Sequence, residues 1–393
     1  MDTVLIRDLV QTQEVEIKTG PFGTQLKASE YVDRGTPVLN VRNLGFSTVN
    51  TEKLEMVGNE TIKRLSVHTL HTGDIVFGRK GAVERHAFIS EFEDGWMQGS
   101  DCIRLRVKNE RINARYLSYY FLTPQHRSFM LSMCSHGTTM ASLNQKIIEM
   151  ISIPLPERKV QDQVVAILSA LDEKIKNNQE INDNLQRQAS ALYGKYFPYA
   201  VTDDLPAGWR VGTVGEIVEL HDSKRIPLSG AQRAKMEKRI YPYYGAASLM
   251  DYVDEYIFDG KYLLLGEDGT VMDDAGFPIL QYVWGQFWVN NHAHILTGKL
   301  GFNVESLLLL FKRTPVKSIV TGAVQPKISQ ANLRSIQVVV PPQHELDAFN
   351  ELIRPLFEQI RQNQDQSKAL TSLRDALLPK LMSGEIDVSD IRL

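Results

Sequence analysis

The fold is decided by residues 164–197, which read VVAILSALDEKIKNNQEINDNLQRQASALYGKYF. Residues 349–382, FNELIRPLFEQIRQNQDQSKALTSLRDALLPKLM, repeat this pattern at a constant offset of 185 positions. The same offset relates Gly137 to Gly322, and it matches apolar residues to apolar residues over residues 137–197. Because solenoid repeats are only about 20 to 50 residues long, so long a period indicates a tandem duplication. The chain is therefore predicted to alternate two globular segments with two long helices.

Each repeated segment carries an apolar seam whose positions are alternately four and three residues apart, the spacing of a coiled coil. A polar break interrupts both seams at the same place. The predicted seam residues are Leu168, Leu171, Ile175, Asn178, Asn182 and Leu185 in the first helix, and Ile353, Leu356, Ile360, Asn363, Ser367 and Leu370 in the second. Matched seams with matched breaks favour pairing of the two helices over packing of each helix on its own domain alone.

The direction of pairing follows from the chain connections. Antiparallel helices would place Asn182 opposite Asn363 and Asn178 opposite Ser367, so that polar side chains satisfy one another. Parallel helices would match the polar layers equally well. Two like units related by a two-fold axis favour the antiparallel arrangement, because each helix then lies next to its own globular segment. About 33 helical residues at 1.5 Å each make a helix roughly 50 Å long.

The segments 1–155 and 201–340 are predicted to be globular domains, and 156–200 and 341–393 to be the long helices. Short β-rich runs separated by glycine-containing turns indicate mixed strand and turn structure. The predicted strands are Thr36–Val41, Asp74–Phe77, Cys102–Val107, Tyr262–Leu265 and His294–Thr297. A Gly-rich turn follows a strand at 77–81 and again at 265–269. We therefore expect an α+β fold, with two pseudo-symmetric mixed α/β domains joined by two long helices that form an antiparallel coiled coil.

The composition is that of an ordinary globular protein, with 43% hydrophobic and 23% charged residues among 393. Its two cysteines, Cys102 and Cys134, have no metal-type spacing, so we expect a reducing, cytoplasmic environment. We see no signal segment and no apolar run approaching about 18 residues, so no membrane partner is expected. A net charge of −3 neither indicates nor excludes nucleic-acid binding, which needs only a local basic face.

Several phrases, in this order and at this spacing, resemble one protein family over essentially the whole chain. They are IKTGPFGTQL at 17–26, GTPV at 35–38, LDEKI at 171–175, LPAGW at 205–209, YPYYGA at 241–246, YIFDGKY at 256–262, LRDALLPKL at 373–381 and SGEI at 383–386. With these phrases the chain resembles the specificity subunit of type I restriction-modification enzymes.

The resemblance implies two target-recognition domains at the ends of an antiparallel helix pair, which read a bipartite double-stranded DNA target. It also implies that two methyltransferase (modification) subunits bind to the helices, and that restriction subunits join the full complex. In that family this subunit is not catalytic, so we expect no cofactor on the chain itself. S-adenosylmethionine, ATP and Mg²⁺ are implied for the partner subunits.

The residues agree with a non-catalytic chain. The Gly-Lys pairs at 194, 260 and 298 are not followed by Ser or Thr, so the sequence has no P-loop of the Gly-x4-Gly-Lys-Ser/Thr type. An Asn/Asp-Pro-Pro-Tyr/Phe methyltransferase signature is also missing. Acids at 267, 268, 273 and 274 could hold Mg²⁺, but such groups are usually solvated loop charges. His292 and His294 lack partner ligands at a metal-type spacing, so we expect no metal.

Candidate DNA contacts come from basic loops and from neighbouring polar or aromatic groups. The stretch 224–239 has six basic residues and one acid, as is typical of a loop that contacts phosphates and reads a groove; a solvated surface is the alternative. In the first domain, basic residues flank the turn at 79–85, and a Gly-containing loop follows Lys18. The candidates are Lys18, Thr19, Gly20, Gly23, Arg79, Lys80, Arg85, Lys224, Arg225, Arg233, Lys235, Lys238, Arg239, Tyr243, Tyr244, Asn291 and His292.

Two other classes of protein stay open on the sequence alone. One is a coiled-coil scaffold that does not bind DNA, and the one-sided charge of residues 224–239 argues against it. The other is an enzyme with an unrecognised site, which the missing catalytic motifs disfavour.

Overall fold

The computed structural model describes residues 3–134, 142–322 and 324–389, and the chain divides into two compact units. The first unit contains residues 1–176 and 366–393, and the second contains residues 177–365. Each predicted globular segment therefore forms a unit together with parts of both long helices.

The first unit is built on small sheets. Its strands are β1 (Thr3–Leu5), β2 (Val15–Thr19), β3 (Tyr31–Val32), β4 (Thr36–Leu39), β5 (Glu55–Val57), β6 (Ile75–Gly78), β7 (His86–Phe88), β8 (Met97–Gln98), β9 (Cys102–Val107) and β10 (Ser152–Pro154). Four of them form an antiparallel sheet in the order β2-β9-β6-β7, and four others form a sheet in the order β3-β5-β4-β8. The predicted strands at 36–41, 74–77 and 102–107 are confirmed as β4, β6 and β9.

The first unit also contains short helices and part of a long one. They are α1 (Ile6–Gln11), α2 (Asn59–Arg64), α3 (Ala114–Tyr120), α4 (Pro124–Cys134), α5 (Gln145–Glu149) and the first half of α6 (Arg158–Tyr196). Helix α3 begins where Asn113 accepts the backbone N–H groups of the next turn, which would otherwise be unpaired. Ile103 and Leu105 of β9 belong to one buried core with Tyr116 of α3 and Leu168 of α6. The core therefore fixes the sheet against the long helix.

The second unit has one larger sheet. The strands of this unit are β11 (Arg210–Thr213), β12 (Val218–Leu220), β13 (Tyr241–Tyr244), β14 (Leu249–Val253), β15 (Phe258–Gly266), β16 (Leu280–Val289), β17 (Ala293–Gly298) and β18 (Gln337–Val340). The short helices of this unit are α7 (Val214–Ile217), α8 (Gly230–Ala234), α9 (Val304–Phe311) and α10 (Gln330–Ser335). The larger sheet contains six of these strands in the order β12-β17-β15-β16-β13-β14. The predicted strands at 262–265 and 294–297 are confirmed within β15 and β17.

The second long helix, α11 (Gln343–Ser383), runs antiparallel to α6 within each unit. In the second unit, Asn363 donates to Oδ1 of Asn182 at 2.9 Å, and the Phe349 ring lies 5.6 Å from that of Tyr193. In the first unit, the Lys159 ammonium donates to the backbone oxygen of Ser389 at 3.2 Å. Every predicted seam residue is buried or half-buried. The coiled-coil prediction and the predicted Asn182–Asn363 pair are confirmed.

The duplication is visible in equivalent backbone contacts. Strands β1 and β10 pair in the first unit as β11 and β18 pair in the second. Next to them, Ile6 donates to the Ile151 carbonyl at 2.9 Å, and Val214 donates to the Ile336 carbonyl at 2.8 Å. Ile151 and Ile336 are related by the offset of 185, so the two domains share one framework.

Candidate nucleic-acid interface

In the first domain, the sheet brings two predicted groups of DNA contacts to one edge. The end of β2 pairs with the start of β9 through Thr19 and Ile103, and the end of β6 pairs with it through Gly78 and Cys102. The loop after Lys18 and the basic turn at 79–85 therefore leave the sheet side by side. The sequence did not predict this proximity, because the two segments are about 60 residues apart and are brought together by pairing with β9.

The two predicted glycines of this loop have different surroundings. Gly20 donates to the Cys102 carbonyl at 2.9 Å, and a Cβ on Gly20 would lie 1.9 Å from the backbone oxygen of Gly99. Gly20 is thus required by a close approach of two backbones inside the protein. A Cβ on Gly23 would meet nothing within 4 Å, so Gly23 has open space beside it.

The basic turn presents its cations beside exposed aromatic rings. The Arg79 guanidinium lies 6.0 Å from the centroid of the Phe22 ring. The guanidiniums of Arg85 and Arg127 lie 5.6 and 4.6 Å from the centroid of Phe46. Lys80 is exposed and forms a loose ion pair with Asp101 at 3.6 Å. The sequence did not predict the two phenylalanines, because an apolar residue in a loop gives no sign of being exposed. It also did not predict Arg127, which lies in α4 and is distant in sequence from the basic turn.

A buried polar chain supports the Phe46 turn from below. Ser47 has a left-handed backbone (φ 61°), and its hydroxyl lies 2.6 Å from that of Ser118. The Ser118 hydroxyl is also 2.9 Å from Nε2 of His86, while Arg115 donates to the Ser47 hydroxyl at 3.0 Å. Burial lowers the pKa of His86 to about 3, so the ring is neutral at physiological pH. These hydrogen bonds fix the turn without a charge on His86.

In the second domain, each of the three predicted arginines pairs with a carboxylate of the same domain. Arg225 donates to Glu267 at 2.5 Å and to the Ala293 carbonyl at 2.8 Å, and its side chain is only 14% exposed. Arg233 pairs with Asp251 at 3.1 Å. The same Asp251 carboxylate lies 3.3 Å from Nη2 of Arg239. The contacts give Arg225 and Arg233 structural roles within the domain, whereas the Arg239 side chain is 49% exposed.

The lysines of the same stretch have a different environment. Lys224, Lys235 and Lys238 are exposed, and within the part of the chain that the structure describes none of them has an ion pair. A lysine is a compact point charge that binds phosphate, and it lacks the planar fork with which arginine makes bidentate contacts. Residues 224–239 are therefore better suited to phosphate contacts than to base recognition.

The other predicted contacts of the second domain gather near the ends of strands. Tyr243 pairs with Trp288, and Tyr244 with Val289, so the end of β13 lies beside the turn that carries Asn291 and His292. Tyr243 is 1% exposed, and the Arg233 guanidinium packs 4.9 Å from its ring centroid, which makes it a core residue. Of the remaining positions, Tyr244 is half-buried, Asn291 is exposed, and His292 is paired with Asp268.

Equivalent turns of the two domains carry opposite charges. Leu143 donates to the carbonyl of Arg79 at 2.8 Å, and Ile328 donates to the carbonyl of Glu267 at 2.8 Å. Leu143 and Ile328 are related by the offset of 185, so the turns occupy the same place on the framework. The first turn presents Arg79 and Lys80, whereas the second has Glu267 and Asp268.

The acids of the second turn belong to an ion-pair network. Ligand atoms of Asp222, Glu267 and His294 all lie within 4.8 Å of one another, which is close enough for a metal ion. Both ring nitrogens of His294 already have oxygen partners, Asp222 at 2.6 Å and the Ile328 carbonyl at 2.8 Å. The Arg225 cation also contacts Glu267. This donor set is therefore that of a salt-bridged network, since its ligand atoms are already engaged.

Among the described residues, no helix is both long enough and apolar enough to cross a lipid bilayer.

The chain is similar to proteins of one family. The family profile described as Type I restriction modification DNA specificity domain matches residues 36–187 and 206–371. The type I restriction enzyme MjaIX specificity subunit of Methanocaldococcus jannaschii is 24% identical over 317 residues, which are 72% of this chain and 72% of that protein. The putative MjaX specificity subunit of the same organism is 21% identical over 411 aligned positions, covering 98% of this chain and 93% of the relative.

A solved structure agrees at the level of the fold. The crystal structure of the type I restriction-modification system S subunit from M. genitalium superposes with a TM-score of 0.58 at 16% sequence identity. The superposition covers 97% of this chain and 96% of that chain.

Proposed function

The chain belongs to the type I restriction-modification DNA specificity family, and we propose that it reads a bipartite double-stranded DNA target, with one half-site for each globular domain. The observation that carries this proposal is the charge difference between the equivalent turns at 79–80 and 267–268. One duplicated framework has the cations Arg79 and Lys80 at this turn in the first domain and the paired carboxylates of Glu267 and Asp268 at the same turn in the second. Because base and phosphate contacts depend on the side chains at a surface, such domains are suited to different DNA sequences.

We further propose that the chain is a non-catalytic subunit and that two methyltransferase subunits, together with restriction subunits in the full complex, bind to it. The long helices are suited to such docking because Ile181, Leu352 and Leu373 leave apolar surface exposed on them. S-adenosylmethionine, ATP and Mg²⁺ would be held by those partners. We propose a cytoplasmic location, where the target DNA lies.

Methylome sequencing tests this function. Cells that produce the modification subunits are compared with and without this chain, and a third strain produces a chain in which residues 1–155 come from another specificity subunit. We expect one bipartite methylated motif that requires the chain, and we expect the chimera to change only one half of that motif. A methylation pattern that is the same in all three strains would contradict the proposal.

A further inference from the structure

Phe22 is an exposed aromatic residue that the protein holds in a fixed position. Its side chain is 59% exposed, although a phenylalanine usually gains stability from burial. Pro21 before it is buried, and Leu26 after it is anchored in a core with Val38 and Val57. The Phe22 carbonyl accepts from Gln25 at 2.7 Å and from Leu26 at 3.2 Å, which closes the turn. The ring is thus presented to solvent on a turn that is fastened on both sides.

The neighbourhood of the ring is basic. The Arg79 guanidinium lies 6.0 Å from the ring centroid. Among residues 3–134, 142–322 and 324–389, no carboxylate pairs with this guanidinium. Lys80 on the same turn is 58% exposed at its side chain. An aromatic ring next to an unpaired guanidinium is a combination suited to nucleic acid, because bases have π-faces and phosphates are anionic.

A second exposed phenylalanine of the same domain shows what an ordinary surface ring looks like here. Phe92 is 72% exposed and packs edge-on against Trp96 at 5.8 Å. Its chain neighbours are Glu91, Glu93 and Asp94, so its surroundings are acidic. An acidic surface repels DNA, and Phe92 is therefore a matched control for Phe22.

From the rigid turn, the exposure and the basic neighbour, we propose that Phe22 packs its ring against a nucleobase of the first half-site while Arg79 binds an adjacent phosphate. The proposal rests on the proposed function, because it requires the first domain to bind DNA. It adds an aromatic contact to the cationic ones. Such a contact requires one base step to open, and apolar side chains that insert between base steps are known to act in this way.

The test uses the complete complex of this chain with its modification subunits and a duplex that carries the methylated motif. 2-Aminopurine replaces each adenine of the first half-site in turn, and both the dissociation constant and the fluorescence are measured. We expect Phe22→Ala to weaken binding by about 5- to 150-fold and to abolish the fluorescence change at one position. The dissociation constant of Phe22→Tyr should lie within about threefold of the wild-type value, since base stacking tolerates a related ring. Phe92→Ala should bind like wild type.

Three results would overturn the inference. Binding of Phe22→Ala equal to wild type would do so while leaving the proposed function intact. Loss of modification subunits from the Phe22→Ala complex in size-exclusion chromatography would show that the ring docks on protein instead. A wild-type complex without sequence-specific binding would remove the proposed function itself, and the inference with it.

Arg79→Ala gives a second, independent measurement. Loss of one phosphate contact should reduce the slope of log affinity against log salt concentration by about one, with the order of preferred sequences unchanged. An unchanged salt slope would contradict the phosphate contact.

Discussion

Arg374 donates a hydrogen bond through Nη1 to Oδ1 of Asp172 at 2.9 Å, and so joins the two long helices inside the first unit. The same carboxylate accepts from the Tyr119 hydroxyl at 2.7 Å. At the repeat offset of 185, the positions equivalent to Asp172 and Arg374 are Phe357 and Ala189, which are both buried in the second unit. The duplicated scaffold therefore has a charged layer in one half and an apolar layer at the same place in the other.

The two domains also attach to the long helices with opposite charges. In each domain the contact with a long helix is made by the second residue of a capped helix, which is α3 in the first domain and α9 in the second. Arg115 of α3 lies 3.6 Å from the carboxylate of Asp172, whereas Glu305 of α9 accepts from Arg361 at 3.1 Å. The two contacts also use different positions of the scaffold, because the residue equivalent to Asp172 is Phe357 and not Arg361. The ion pairs match each domain to its own part of the scaffold.

Asp172→Ala should lower the free energy of unfolding by about 1 to 3 kcal/mol. The substitution removes the carboxylate that Arg115 and Arg374 share, and both of these side chains are about three-quarters buried. Asp375→Ala is the matched control, because Asp375 also pairs with Arg374 but is 60% exposed at its side chain. Its loss should change stability by less than about 0.5 kcal/mol. Urea unfolding measures both, and equal losses would contradict a special role for Asp172.

A double-mutant cycle tests the buried asparagine layer. Asn182 and Asn363 are hydrogen-bonded at 2.9 Å, and Asn182 also donates to the Ile360 carbonyl at 3.1 Å. Asn182→Leu alone should cost about 1 to 3 kcal/mol, because it leaves the buried amide of Asn363 without this partner. Asn182→Leu combined with Asn363→Leu should cost less than the sum of the two single changes. Additive losses in thermal unfolding would show that the two amides do not act as a pair.

The scaffold could be predicted from the sequence because periodicity determines which face of a helix is buried. Seam positions such as Leu168 and Ile353 were found from their spacing alone, and β-rich runs such as 102–107 identified strands. The DNA interface could not be predicted in the same way. A count of charges treats Arg225 as available, whereas its partner Glu267 is 42 positions away and is brought close only by the sheet. Exposure of Phe22 depends in the same way on contacts that are distant in sequence.

Arg225→Ala is expected to act on stability first. Its guanidinium is the partner of a carboxylate that is only 13% exposed, so its removal should cost about 2 to 4 kcal/mol. Lys238→Ala is the comparison, since Lys238 is exposed and should instead lower the salt slope of DNA binding by about one with stability unchanged. Unfolding and binding curves are measured for both. If Arg225→Ala kept wild-type stability but relaxed the second half-site, Arg225 would be a base-reading residue.

Stability should fall in mild acid because of His86. Burial lowers its folded-state pKa from 6.5 to about 3. Below pH 6.5 the unfolded chain therefore binds a proton that the folded chain does not, and stability that is present above pH 6.5 is lost progressively towards pH 3. Replacing His86 with Gln should reduce the slope of unfolding free energy between pH 6 and pH 4.5 by about 1.4 kcal/mol per pH unit. Ser118→Ala, which removes the hydroxyl that bonds both His86 and Ser47 but keeps the imidazole, should lower stability and keep the slope. An unchanged slope in the His86 variant would contradict this origin.

Exchanging the charges of the equivalent turns tests whether they distinguish the half-sites. Arg79→Glu combined with Lys80→Asp gives the first domain the acids that the second domain has at 267 and 268. The two introduced acids would repel the phosphates that Arg79 and Lys80 attract. The affinity for DNA should therefore fall by at least about 100-fold at physiological salt. Lys53→Glu with Lys63→Glu makes the same change in net charge at two other exposed positions, and should weaken binding by less than about tenfold. Methylome sequencing should then show loss of methylation in the turn variant and an unchanged motif in the control. Equal effects of the two double variants would mean that net charge alone, rather than this turn, governs binding.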